Sequence, residues 1–143
     1  MAAHYHNDFY GWTQEQADLL RSGHLNQLDT QNLLEEIEGM GNSQRNELES
    51  RLEVLFIHLL KWLFQPSLRG RSKRLTIVEQ RRKIVRRLAK SPSLQNELNA
   101  LMTDAYGDAI LSAARETGLN EEIFPKQCPW SFEQTINNEF FPE

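Results

Sequence analysis

Residues 43–64 read SQRNELESRLEVLFIHLLKWLF. Leu48, Leu52, Leu55, Leu59, Trp62 and Leu63 recur at three- and four-residue spacing, the signature of a helix with one apolar stripe. Ser43 opens the pattern. Pro66 closes it, because proline lacks an amide hydrogen and its ring clashes with the preceding turn. A leucine stripe of this length needs other helices to cover it, so this segment is the expected centre of a helical core. No apolar/polar alternation of period two occurs anywhere in the chain, and strands are not expected. The fold class that follows is all-α, a single compact bundle of four to five main helices.

Toward the C-terminus, residues 65–74 (QPSLRGRSKR) read as a basic loop and as the most mobile segment. From Leu75 the spacing of Ile77, Ile84, Val85 and Leu88 predicts a further helix. Ser91-Pro92 then ends one helix and starts the next, which turns Leu94, Leu98, Leu101, Ala105, Ala109 and Ala113 inward and runs to Thr117. Gly118 supplies its left-handed stop. Residues 119–143 form an irregular, aromatic and proline-rich tail with a capped turn at Ser131–Gln134. Toward the N-terminus, Asp29 caps a helix with Leu33, Ile37 and Met40 on one face, broken by Gly39 and Gly41. Thr13, with Gln16 three residues on, reads as a capping box that opens a helix ending at Ser22-Gly23. Residues 1–12 are left as an N-terminal arm. The 143 residues are expected to form one domain.

The composition is that of an ordinary globular protein, with 39% hydrophobic and 25% charged residues. The single cysteine, Cys128, has no partner for an internal disulfide, and no zinc-type Cys/His spacing is present, which fits a reducing cytoplasm. The longest apolar run, Val54 to Phe64, is interrupted by His58 and Lys61, so no membrane span is expected. The net charge is −4, unevenly placed. Arg69 to Lys90 holds ten basic residues and one acid, Glu79, against six basic and nineteen acidic residues elsewhere. Such segregation reads either as pairing of opposite faces within or between chains or as a patch for a polyanion, and the acidic whole favours pairing.

Five groups of residues occur in an order that resembles a known family. They are Asp8-Phe9-Tyr10-Gly11-Trp12; Leu28-Asp29 with Asn32-Leu33 and Glu35-Glu36-Ile37; His58-Leu59-Leu60-Lys61-Trp62; Thr76-Ile77 with Gln80-Arg81; and Glu116-Thr117-Gly118-Leu119 with Phe124-Pro125 and Cys128-Pro129-Trp130. The family is domain of unknown function 29 (DUF29), and the resemblance spans Asp8 to Phe141-Pro142. It implies a helical bacterial chain of this length and no particular reaction.

Glu47, Arg51, Val54, His58 and Lys61 form a strip beside the leucine stripe, and Glu36 flanks Leu33, Ile37 and Met40. Arg81 falls in the middle of an apolar face, where a guanidinium needs a partner. The expected arrangement is a satisfied network at the core edge, with Arg81 paired to Glu36 or Glu47. The alternative is a catalytic set of Glu36, Glu47, His58 and Lys61 lined by Arg81, a metal-assisted phosphodiesterase in which a carboxylate activates water or holds a divalent ion. No metal-ligand spacing supports it, and no cofactor or metal is expected otherwise. Arg69, Arg71, Lys73, Arg74, Arg82, Lys83 and Arg86, continued by Arg87 and Lys90, are the candidate contacts for a nucleic acid or other anion, although no aromatic side chain is interleaved to stack on bases. His4 and His6 read as solvated. The preferred function is a cytoplasmic interaction or regulatory module for a protein or nucleic-acid partner, with self-association left open and no membrane role.

Overall fold

The computed structural model describes residues 4–143. Five α-helices follow one another: α1 (Phe9–Ser22), α2 (Thr30–Phe64), α3 (Arg71–Lys90), α4 (Leu98–Thr117) and α5 (Phe132–Ile136). Short 3-10 turns lie between them, and no strand occurs among the described residues. The all-α class is as expected. No helix among the described residues is long and apolar enough to cross a membrane.

The first helix begins earlier than the sequence suggests. Asp8, a stronger N-cap than threonine, accepts a hydrogen bond from the Gly11 amide at 3.0 Å and so turns residues 9–12 into the first turn. A Cβ at position 11 would collide with that carboxylate, which accounts for the glycine. Thr13 lies inside the helix with its hydroxyl donating to the Tyr10 carbonyl, and Gln16 does not close a capping box. Gly23 (φ 79°) and Gly118 (φ 75°) end α1 and α4 in the left-handed conformation, as the sequence predicts.

The largest departure is α2. One helix of 35 residues replaces the two expected, and Gly39, Gly41 and Ser43 are interior to it. Neither glycine takes a positive φ. Each costs about 1 kcal/mol relative to alanine, which neighbouring strong helix formers such as Glu38, Met40 and Gln44 outweigh more easily than the chain could nucleate a second helix. Two further boundaries move. Arg71, Lys73 and Arg74 belong to α3 and not to a loop, because arginine and lysine are good helix formers and nothing after Gly70 breaks the helix. Residues 92–97 are a 3-10 stretch leading into α4.

The described chain divides into two compact units, Met1–Gln44 and Arg45–Glu143. The C-terminal unit holds the core. Leu48, Leu52, Leu55, Phe56, Leu59 and Leu60 of α2 meet Ile77, Ile84 and Leu88 of α3 and Leu101, Ala105, Tyr106, Ala109 and Ala113 of α4. Val85, expected inward, is exposed, since it sits about 100° from Ile84 on the helix. The tail is packed and not loose. Phe124, Trp130, Thr135 and Pro142 are buried, and the capping box between Ser131 and Gln134 is formed.

The N-terminal unit is a hairpin of α1 and the first turns of α2, joined at Asp29. The Asp29 amide donates to Gln16 Oε1 at 2.8 Å. Its carboxylate accepts from the Asn32 side chain at 2.8 Å and from Trp12 Nε1 at 2.9 Å. Those bonds, Asn32 first, hold the Asp29 carboxyl below its ordinary range.

Candidate interaction surfaces

Three of the residues proposed for catalysis are spread along one helix. Glu47, His58 and Lys61 lie along α2, and the fourteen steps from Glu47 to Lys61 span about 21 Å of helix axis. Each is engaged nearby. Glu47 pairs with Arg87 at 2.6 Å and with Arg51 at 3.9 Å. Lys61 bridges to Glu116 on α4 at 2.6 Å. His58 Nδ1 lies 2.8 Å from the Val54 carbonyl and therefore donates to it. Glu36 belongs to the N-terminal unit, where it accepts a hydrogen bond from the Tyr5 hydroxyl. That bond, together with the surrounding acids, pushes the Tyr5 phenol up to about 12. Among the described residues no group of three or more His, Cys, Asp or Glu is placed to hold a metal ion.

Arg81 is buried, as its register demands, with 1% of its surface exposed. Its partner is neither Glu36 nor Glu47. Nε donates to the Thr135 carbonyl at 2.7 Å and an Nη to the Gln134 carbonyl at 3.4 Å, while the guanidinium sits 5.2 Å from the centre of the Phe141 ring. The cation thus caps the carbonyl end of α5, where the helix dipole and the orphan carbonyls favour positive charge. Burial lowers its pKa to about 10, leaving it charged at neutral pH. Arg69 does related work. Nε donates to the Trp62 carbonyl at 2.7 Å, an Nη donates to the Pro142 carbonyl at 3.2 Å, and the guanidinium lies over the Trp62 ring. Two arginines of the basic segment therefore fasten the C-terminal tail and face no anion.

The remaining cations of α3 separate into rows. Lys83 pairs with Glu79 at 2.6 Å, and Arg87 with Glu47. Arg82, Arg86 and Lys90, spaced by four residues, are exposed and make no ion pair among the described residues. Arg71 and Arg74 are exposed at the start of the helix. Arg51, Lys83, Arg86, Arg87 and Lys90 surround Glu47 in a shallow depression. This is a cationic surface with part of its charge already neutralised.

The other surface is apolar. On α1, Phe9, Trp12, Gln16 and Leu20 recur at helical spacing, and on α2 Leu33, Ile37 and Met40 do the same. These stripes face one another across an open groove of about 300 Å³, with Thr13, Ala17 and Glu36 completing its lining. Among the described residues of this unit only Trp12 and Gln16 are buried. Ile37 is 62% exposed and Met40 66%. Tyr5, Phe9 and Trp12 make an aromatic cluster at one end, with ring centres 4.7–5.7 Å apart. The α1 stripe starts at Phe9, before the helix start that the sequence suggests, and the apolar spacing gave only the α2 stripe. It did not show that this stripe stays open, since periodicity marks an apolar face without naming what covers it.

No curated protein and no solved structure matches the chain. A family model does, that of the domain of unknown function DUF29, over residues 4–141 of 143. That match covers both units and nearly every residue described above, and the chain belongs to the DUF29 family.

Proposed function

We propose that the protein is a non-catalytic interaction module whose docking surface is the apolar groove of the N-terminal unit. The observation that carries this reading is the exposure of Phe9, Leu20, Ile37 and Met40 around one continuous groove in a unit whose described residues bury only two side chains. Apolar surface gathered in one place, as opposed to scattered singly, marks a site that a partner covers. Helical anchors at three-, four- and seven-residue spacing are the geometry by which a groove takes a helix. Cytoplasmic residence is part of the proposal, and the unpaired, half-buried Cys128 fits it.

A photo-crosslinking residue at position 37 tests the proposal, with the outward-facing position 38 as control. The expected result is one protein crosslinked from position 37 in cells and not from 38. With that protein purified, binding is then lost on Ile37→Ser with Met40→Ser. Equal labelling from both positions would count against a defined docking surface.

A second reading, polyanion binding by α3, is favoured by the unpaired row of Arg82, Arg86 and Lys90. Salt-dependent binding to labelled RNA or DNA, weakened by Arg82→Ala with Arg86→Ala, would support it. Incubating the same nucleic acids with magnesium or manganese, wild type beside His58→Ala, tests the hydrolase. Cleavage that His58→Ala abolishes would displace the interaction reading.

A further inference from the structure

We propose that the occupant of the N-terminal groove is a cationic amphipathic helix of a partner protein; this rests on the reading of that groove as a docking surface. The length of the groove sets the first term. From Phe9 to Leu20 the lining of α1 runs about 16 Å, which is three helical turns, and Leu33, Ile37 and Met40 extend along the opposing wall. An extended segment would present alternate side chains to both walls and leave its backbone unpaired, whereas a helix of three to four turns lays one apolar stripe between them. Met40 adds an unbranched, polarizable side chain that adapts to the anchor it meets.

Charge sets the second term. Residues 1–44 hold seven acids, Asp8, Glu15, Asp18, Asp29, Glu35, Glu36 and Glu38, against one arginine, Arg21. Glu36 is the one charged residue of the groove lining, half-buried beside Ile37 and Met40. A lysine or arginine at the margin of the incoming apolar stripe would meet that carboxylate, and the field of the whole unit would speed its approach. The same field disfavours the other occupants. A second copy of the unit would set six net negative charges against six, and anionic lipid or nucleic acid would be repelled outright. Helix α3 of a second copy is cationic, but its apolar side, Ile77, Ile84 and Leu88, is already buried, leaving only Leu75 and Val85 exposed on it.

The test uses the full chain and two synthetic helical peptides that share leucines at i, i+3, i+4 and i+7, one with lysine and one with glutamate at the remaining positions. Titration by calorimetry should show the lysine peptide binding about tenfold or more tighter than the glutamate peptide, with the preference shrinking as salt rises. Ile37→Ser with Met40→Ser should weaken it by about tenfold or more without changing the melt, because both side chains are exposed. Glu36→Gln should reduce the lysine-over-glutamate preference. A glutamate peptide that binds as well, still dependent on Ile37 and Met40, overturns the charge assignment and leaves the docking surface standing. Failure of both peptides, with wild type and double variant indistinguishable, overturns both. Self-association abolished by the double variant would make a second copy the occupant, and groove-dependent binding to anionic vesicles would make it lipid; either result overturns the proposal.

Discussion

The two units of this chain follow the same periodicity to opposite ends. In the C-terminal unit the stripes of α2, α3 and α4 close on one another and leave Leu48, Leu52, Leu55, Ile77, Ile84 and Leu101 with no exposed surface. In the N-terminal unit two stripes face one another across an open groove. Seven large apolar side chains of residues 4–44 remain exposed, against five in the more than twofold longer remainder. Two helices cannot enclose a core, and a third element is what turns an apolar face into an interior. The C-terminal unit has that element in α4 and the tail; the N-terminal unit takes it, on the reading above, from a partner.

Leu52→Ala removes a fully buried side chain and should cost about 3 kcal/mol in urea unfolding, within the usual span for a cavity of that size. Ile37→Ala, on the open face, should cost less than about 0.5 kcal/mol. If the two losses are equal, the N-terminal face is covered in solution and the contrast between the units fails.

Adjacent arginines on α3 sharpen the comparison at the level of one residue. Arg81→Ala deletes charged hydrogen bonds to two carbonyls of α5 and opens a void under Phe141, a loss of about 2–3 kcal/mol. Arg82→Ala, one position on and exposed, should change stability by less than about 0.5 kcal/mol. A double-mutant cycle of Arg81→Ala with Glu47→Gln should show coupling within about 0.5 kcal/mol of zero, as for sites with no shared contact. Strong coupling would restore the carboxylate partner that the sequence suggests and the structure does not contain.

Arg81 also shows where sequence reasoning stops. Its burial was legible, since four residues after Ile77 and three before Ile84 a side chain has nowhere else to point. Its partner was not. Charge counting leads to carboxylates, but the cation is held through Nε and one Nη by backbone carbonyls at the end of a five-residue helix, and backbone acceptors carry no sequence signature. The capping box that builds that helix, Ser131 with Gln134, was readable because side chains form it. Gly39 and Gly41 misled for a related reason. Glycine permits a left-handed stop without requiring one, as Gly23 and Gly118 take it and these two do not. The strip of Glu47, His58 and Lys61 had correct register as well. At 1.5 Å per residue the numbering alone already sets Glu47 about 21 Å from Lys61 along the axis, so the spread of the strip was legible too.

The smallest effects expected are in pH, and there the two units should differ in sign. Asp29 of the N-terminal unit has its carboxyl lowered by bonds from Asn32 and Trp12. The folded state therefore binds its proton less readily than the unfolded chain, whose aspartate titrates at about 3.9. The stabilisation is fully present above that value and is lost as pH falls through the lower, folded one. Glu53 on α2 is the opposite case. Burial first, then Asp108 and Glu49, raise its carboxyl above the usual range. The folded state holds that proton more readily than the unfolded chain, whose glutamate titrates at about 4.3, so the charged form costs stability above the folded value and the cost fades as pH falls toward the unfolded one. Glu53→Gln should then raise the melting temperature slightly at pH 7 and have no effect at pH 4, measured by calorimetry. Hydrogen exchange of α1 should quicken below pH 4 in the wild type and lose that dependence in Asp29→Asn, which keeps an N-cap side chain but cannot carry the charge. An α1 exchange profile that instead follows Glu53→Gln would mean that the two units open as one, and the division at Gln44 would not describe how the chain unfolds.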